Sequence, residues 1–526
     1  MTLFLQKILC MSKSFYVTTP IYYPNGIPHV GTAYTTIAAD ILTRWHRMKD
    51  GGNAFLLTGT DEHGQKVEQA AVAKGMPVQA YVDEIAVTFK EAWEALDIWY
   101  DDFIRTTESR HVQTVLKFFR KLMDKRDIYK NYYEGWYCVS CETFWMESQL
   151  VDGKCPNSEC GRPVEWLKEE DYFFKLSTFQ ERLLQHYEKN PGFVRPESRM
   201  NEVTSFVKSG LQDVCVSRKG LGWGIPVPED TERSIYVWID ALLNYLSAIG
   251  YLEDSPQFKK LWPANVHLVG KDILRFHAVI WPAMLMALDL PLPKKVFANG
   301  WLTMGGSKIS KSRGVHRNLM ELVTEYGPDP LRYFLMREAS FGLDLDFSEE
   351  GIIRRLNTDL ANDLGNLVQR VLSMIHRYFN GKVPNPGTLE VGDTSLRQLA
   401  QKLPEAIDSQ LEELRFREAL EAIFAVVVAS NKYVDETAPW KLAKEKNETR
   451  LATVLYTLAE IIRMLAIALA PFLPRSADSI WKQLGREGLA TRQTTEELVW
   501  GRTQAGTAIG TPTALFQKVE APGIHS

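Results

Sequence analysis

The sequence predicts an α/β fold in which a parallel sheet is interrupted by an insertion and followed by a bundle of α-helices. Three observations carry that expectation. Within residues 15–57 a β-rich run, a glycine-bearing loop, a helical run and a second β-rich run follow one another. That is how a Rossmann-like, doubly wound sheet opens. Between about 120 and 235 the chain turns aromatic, cysteine-bearing and loop-rich, and the alternation stops. After about 350 long amphipathic stretches take over.

Taken in order, Ser14-Phe15-Tyr16-Val17-Thr18-Thr19 is β-rich, and residues 20–31 are broken by prolines and glycines. Apolar residues then recur at helical spacing over 32–49, and Ala54-Phe55-Leu56-Leu57-Thr58 reads as a second strand. Alternation returns around 236–238, 266–269 and 296–299, so the stretch between is an insertion within the sheet domain. The amphipathic runs at 356–379, 412–436 and 450–469 have proline-bearing joints at Pro384-Asn385-Pro386 and Pro471, the pattern of a helical bundle. A short β-like run, Ala514-Leu515-Phe516-Gln517-Lys518-Val519, comes near the end. Neither internal repeats nor low-complexity tracts interrupt this order.

The chain has 526 residues, 45% of them hydrophobic and 24% charged, an ordinary globular composition spread over roughly two to four domains. No run approaches the ~20 apolar residues of a membrane span, so no membrane partner is expected. The start, MTLFLQKILCMSKSFYV, lacks a small-residue cleavage site and is not read as a signal peptide; Met11 is an alternative start. A net charge of −4 gives no basic footprint, so a nucleic-acid partner would have to use a local basic surface. Six cysteines are too few for a disulfide scaffold; four lie close together in two pairs, which in a reducing, cytoplasmic compartment points to metal.

Those pairs are Cys138-x-x-Cys141 and Cys155-x4-Cys160. Thiolates at such spacings suit a tetrahedral Zn–S4 knuckle with no open position, hence one structural zinc. Two unrelated free-thiol pairs, an adventitious disulfide, or Glu159 as a substitute ligand are the alternatives. Cys10 and Cys215 look like bystanders.

Two segments suit phosphate chemistry. Pro28-His29-Val30-Gly31 lies where the first loop enters a helix. It is a plain turn, or else a helix N-terminus whose N–H groups and dipole attract phosphate, with His29 as a further donor. Lys308-Ile309-Ser310-Lys311-Ser312 is flanked by glycines. It is a solvated loop, or else a mobile one that brings positive charge to a triphosphate. No Walker-type motif is present.

These two segments, about 280 residues apart and flanking an interrupted sheet, resemble the HIGH and KMSKS signatures of class I aminoacyl-tRNA synthetases. Five further blocks resemble the methionyl-tRNA synthetase family, and the resemblance runs from about residue 14 to about 520. They are Thr19-Pro20-Ile21-Tyr22-Tyr23-Pro24-Asn25-Gly26, Gly59-Thr60-Asp61-Glu62-His63-Gly64 and Tyr236-Val237-Trp238-Ile239-Asp240-Ala241. The other two are Gly270-Lys271-Asp272-Ile273-Leu274-Arg275-Phe276-His277 and Asp363-Leu364-Gly365-Asn366-Leu367-Val368-Gln369-Arg370.

The resemblance implies a methionine pocket with Ile21 and Tyr23 on one wall and Trp238, Ala241 and Tyr245 opposite. Ile273, Phe276 and His277 would close around the thioether, and Asp61 would pair with the α-ammonium. Aromatic rings suit a polarizable thioether, and a buried ammonium needs a charged partner. Asn25, His29 and Gly31 would line the ATP phosphates, with Asp272 near the ribose and Lys308 and Lys311 at the β- and γ-phosphates. His29 and Lys311 would be catalytic. ATP would arrive with Mg²⁺, methionyl-adenylate would form, and the methionyl group would pass to tRNA(Met). Thr32 stands where the family signature usually ends in a second histidine; it carries no charge and is left out of the catalytic set.

The bundle would read the anticodon through Asn366, Arg370 and Trp440, residue types that stack on and hydrogen-bond to splayed bases. The implied layout is 1–13 N-terminal extension, 14–119 and 236–300 Rossmann catalytic halves, and 120–235 connective insertion with the zinc knuckle, which would guide the tRNA acceptor end. Residues 301–355 would form the KMSKS-loop linking domain and 356–526 the anticodon-binding domain. A monomer is expected. Two rivals stand beside this reading: another class I synthetase, disfavoured by the lack of a large editing insertion, and a non-catalytic tRNA-binding scaffold.

Overall fold

Phe15–Tyr22 forms strand β1, as its aromatic and β-branched residues favour, and it is buried along nearly its whole length. The computed structural model describes residues 14–49, 51–139, 143–145, 147–157, 160–220, 222–304, 307–308 and 317–520, with Lys308 described by its backbone alone. Beside β1 lie β2 (Ala54–Thr60), β3 (Asp102–Arg105), β4 (Val194–Arg195), β5 (Val266–Gly270) and β6 (Val296–Asn299), in the order β3-β2-β1-β5-β6-β4. Every pairing is parallel.

From β1 the chain runs to β2 and β3 on one side and returns to β5 and β6 on the other. The switch point therefore lies between β1 and β5, and in such sheets ligands bind beyond the carboxyl ends of the strands there. Pro20 has no N–H to give the ladder, and the β1–β2 register shifts between Thr18 and Ile21.

Alternate residues of each strand enter different cores. Phe15 and Val17 join one that also holds helix α1 (Val30–Lys49) and the C-terminal helices. Tyr16 joins the other, shared with helix α2 (Ser109–Asp124), the insertion and residues 235–287. The insertion carries a four-stranded antiparallel sheet ordered Thr143–Trp145, Ile128–Cys138, Glu165–Phe174 and Val214–Cys215. It also supplies edge strand β4 to the central sheet.

Several local expectations are refined. Residues 236–238 are not a central strand but the joint between Asp230–Ile235, in a small antiparallel sheet, and helix α3 (Val237–Leu242). So short an apolar run does not separate strand from helix by periodicity. Helix α4 (Pro328–Arg337) lies between sheet and bundle. The run at 356–379 is a π-helix, Leu356–Gly365, continued as α5 (Asn366–Phe379). The run at 412–436 is divided by Leu414 at φ 56°, which ends Leu403–Glu412 before α6 (Phe416–Thr437). The β-like tail at 514–519 is not a strand; the amide of Asn357 instead bonds both N and O of Val519. Helix α7 (Glu448–Leu469) is long and apolar enough to cross a membrane, but 94% of its apolar window is buried within the protein.

Sheet and bundle meet at a fully buried Arg332 on α4. Its guanidinium donates to Asp40 on α1 at 2.7 Å and to the carbonyls of Leu96, Pro471 and Phe472.

Candidate active site

The N-terminus of α1 is built by its own entry residues. The carbonyl of His29 accepts from the amides of Thr32 and Ala33, and its Nδ1 accepts from Gly31 N at 3.0 Å. A proton on the neutral ring therefore sits on Nε2. Thr32 completes the cap: its hydroxyl accepts from His29 N at 3.1 Å and donates to His29 O at 2.7 Å. Gly31 is needed because a Cβ there would lie 2.9 Å from the His29 ring. Asn25 is exposed in the preceding loop.

At the carboxyl end of β2, Asp61 is buried, and its amide donates to Tyr22 O at 3.0 Å. Its neighbours hold it there. The carboxylate of Glu62 accepts from Thr60, Arg105 and Thr107, while its backbone carbonyl accepts from Trp223 Nε1. Gly64 has φ 106°, and a Cβ there would lie 2.5 Å from the Tyr23 hydroxyl.

Trp238 on α3 stacks on Phe276 with centroids 4.0 Å apart and planes 12° from parallel. Ala241 is buried beside it, and Ile21, Tyr23, Ile273, Phe276 and Trp238 are half-buried against the same core. Beneath them His277 Nδ1 lies 3.0 Å from the Ile273 carbonyl, and Nε2 lies 2.8 Å from the Tyr245 hydroxyl. A carbonyl only accepts, so Nδ1 donates and Tyr245 donates to Nε2. Burial pushes His277 down to about 4, so the ring is neutral. Burial raises the Tyr245 phenol, and Asp61 is among the charges that add to the rise. The aromatic wall and the carboxylate are thus electrostatic neighbours.

Sequence reasoning missed the layer below. His267 is fully buried under the Tyr245 ring, centroids 4.2 Å apart, with Nδ1 2.7 Å from the Thr18 hydroxyl. Asp240 is buried between His63 and His111. The available signal was a polar residue inside a buried strand or helix.

At the carboxyl end of β5, Asp272 is exposed. Lys271 beside it pairs with Asp344 at 2.7 Å and lies 3.8 Å over the Trp301 ring. Lys308 is in the two-residue strand Ser307–Lys308, antiparallel to Leu302–Met304. Lys311 and Cys141 lie outside the described residues.

In the insertion, the sulfurs of Cys138, Cys155 and Cys160 lie within 4.8 Å of one another, with Cys138 and Cys160 3.5 Å apart. Four thiolates ~2.3 Å from one zinc would stand about 3.8 Å apart, so the spacing fits. The wide second pair is closed by a turn in which Cys160 N donates to Asn157 O at 2.8 Å. Cys215 is outside the cluster, and burial pushes its thiol up. Cys10 and Glu159 lie outside the described residues.

On the bundle, Asn366 is exposed at the start of α5. Arg370, one turn on, pairs with Asp435 at 2.8 Å and lies 5.8 Å from the ring centroid of Trp440. Trp440 is 42% exposed, so its face is available to stack.

Comparisons with known proteins agree along the chain. A family model described as class I tRNA synthetases (M) matches residues 15–372, and one described as the anticodon binding domain of methionyl tRNA ligase matches 383–524. A methionine–tRNA ligase of Caldanaerobacter subterraneus is 52% identical over 513 residues, covering 97% of this chain and 80% of the relative. One of Streptomyces coelicolor is 47% identical over 526 residues, covering 97% of each. The structure of Mycobacterium tuberculosis methionyl-tRNA synthetase with methionyl-adenylate is similar at TM-score 0.92 and 44% identity, covering 96% of this chain and 99% of that one. The free form of that synthetase is similar at TM-score 0.85 and 41% identity, covering 97% and 99%.

Proposed function

The chain belongs to the class I methionine–tRNA ligase family, and from that premise we propose which of its residues activate methionine and pass it to tRNA(Met). One observation carries the reading. The His29 helix entry and buried Asp61 follow the carboxyl ends of β1 and β2, and Phe276, stacked on Trp238, follows that of β5, at the topological switch point of one sheet.

Methionine enters with its ammonium toward Asp61 and its thioether among Ile21, Tyr23, Trp238, Ala241, Tyr245, Ile273, Phe276 and His277. The His277–Tyr245 pair is neutral and internally satisfied, so it offers a polarizable apolar side chain no competing charge. ATP enters as its magnesium complex, phosphates against the N-terminus of α1 beside Asn25, His29 and Gly31, with the ribose near Asp272. One methionine carboxylate oxygen attacks the α-phosphorus. The new O–P bond replaces the bond to pyrophosphate, and methionyl-adenylate results. The Nε2–H of His29 and the positive end of the helix stabilise charge on the phosphoryl oxygens, while Lys308 and Lys311 meet the departing pyrophosphate. A terminal ribose hydroxyl of the tRNA then attacks the acyl carbon and releases AMP. No group of the chain bonds covalently to substrate, so its contribution is positioning and electrostatics.

Cys138, Cys155 and Cys160, with Cys141 as the fourth thiolate, would hold one zinc that ties together the insertion over 120–235. Asn366, Arg370 and Trp440 would meet the anticodon. A reducing compartment such as the cytoplasm would keep the cysteine thiols available to the metal. We take the monomer as the working unit; gel filtration near 60.0 kDa supports it and a mass near twice that overturns it.

Methionine-dependent exchange of pyrophosphate into ATP tests the whole. Exchange with methionine is expected. Exchange with another amino acid would place the chain with a sibling synthetase, and no exchange with any would favour a tRNA-binding scaffold.

A further inference from the structure

Asp240 has no part in the chemistry described above, yet it lies at the centre of the amino-acid pocket's support. It is fully buried on α3, two residues from Trp238 and next to Ala241. Each of its carboxylate oxygens meets a different histidine. Oδ2 lies 2.6 Å from His63 Nδ1, and Oδ1 lies 2.6 Å from His111 Nε2. His63 stands two residues after Asp61 on the turn that leaves β2. His111 is on α2, and its other nitrogen lies 2.8 Å from the Ser247 hydroxyl, two residues beyond Tyr245.

The charges are consistent with a clamp. Burial alone would push the Asp240 carboxyl up, but the His63 charge and the bonds from both histidines outweigh it and hold the group down to about 2. Burial alone would lower His63, and the same carboxylate raises it. An ionised carboxylate only accepts, so both imidazoles donate to it. A buried carboxylate joined to two elements in this way resists displacement of either one.

We propose that Asp240, gripped by His63 and His111, is the positioning residue that sets the Asp61 turn against the Trp238–Tyr245 wall of the methionine pocket. The proposal rests on the methionine-activating reading above. Asp61 would hold the ammonium and the wall would hold the thioether, so the distance between them must match the length of one amino acid. Asp240 bridges the two elements that set that distance without touching substrate. Displacements of about 1 Å at such a site change rates by up to about 100-fold. The α1 entry and Asp272, which face ATP, lie on other elements and should be unaffected.

The test is pyrophosphate exchange by the full-length chain and by Asp240→Asn, with methionine and ATP varied separately. Asparagine keeps the shape but loses the charge and one acceptor. The expected result is a methionine KM raised about 10- to 100-fold with an ATP KM within about twofold of the parent. A merely structural role would move both constants together, or lower the active fraction and leave both unchanged; either outcome overturns the proposal. Should Asp240→Asn not fold, His63→Gln carries the same test, because it breaks the link on the Asp61 side alone. A parent chain that gives no methionine-dependent exchange would overturn the enzymatic reading and the clamp with it. A parent that exchanges normally beside variants with unchanged methionine KM would overturn the clamp only.

Discussion

At position 32 a short hydroxyl folds back on the helix it enters. Thr32 gives the His29 amide an acceptor and the His29 carbonyl a donor, so the residue that departs from the family signature serves as a cap. Thr32→Ala removes both bonds and is expected to destabilise the chain by about 1 kcal/mol, with a lower exchange kcat because His29 loses its anchor. Thr32→Ser should restore both; urea unfolding beside exchange kinetics would check this, and an alanine variant with parental kcat would deny the link. His277 supplies a prediction of another kind. It stays neutral down to about 4 when folded, whereas its ordinary value is 6.5. Between those values the unfolded chain binds more protons, so stability rises with pH across the window and is lost as pH falls through it. His267, pushed well below its ordinary value by burial, acts in the same direction. In His277→Gln the slope of unfolding free energy between pH 4 and 6.5 should flatten by up to one proton, about 1.4 kcal/mol per pH unit. Urea titrations at several pH values would measure it, and an unchanged slope would mean that His277 is charged in the fold.

Among elements, the insertion is the one we propose to be tied together by a metal ion. Strand Ile128–Cys138 ends at one thiol and the 155–160 turn brings two more. Replacing Cys138 by serine is expected to lower zinc content below one per chain and to reduce tRNA charging by roughly tenfold or more. Exchange should persist, because the α1 entry and the strand ends are separate from the cluster. Metal analysis with both assays separates these outcomes; equal loss of exchange would show that the cluster supports the sheet as well. This contrast also marks what could be read from the chain's text. β1, α1 and β2 were legible because a buried parallel strand is a continuous apolar run and α1 has helical spacing. The clustering of Cys138 with Cys155 and Cys160 was legible because metal ligation constrains spacing. The π-helical entry to α5 and the break at Leu414 were not, since both depend on tertiary packing rather than periodicity. The Asp240–His63–His111 group was hidden for a related reason: its members are far apart in sequence, and nothing local marks a histidine as partner to a distant carboxylate.

In the whole molecule, Arg332 is where catalytic sheet and bundle are joined. It satisfies Asp40 from α1 together with three carbonyls, two of them just past the end of α7. Burial would raise the Asp40 carboxyl, but Arg44 and Arg332 outweigh it and hold the group below its ordinary value. Arg332→Met leaves those carbonyls without this donor and Asp40 with only Arg44 and the Trp99 amide. A loss of roughly 3–5 kcal/mol is expected, seen as a lower urea midpoint for bundle and sheet together. A midpoint that fell for the bundle alone would show that the two halves are not joined through this side chain. The order of the central sheet also bears on how the chain is made. β1 needs β5 as a neighbour, yet the two are separated by the whole insertion. At ~5–20 residues per second, a ribosome that has finished β1 takes roughly 10–50 s to deliver β5. Throughout that interval one flank of β1 has no strand beside it, and the nascent chain carries a sticky border that a chaperone, or an early-folding segment of the insertion, must cover.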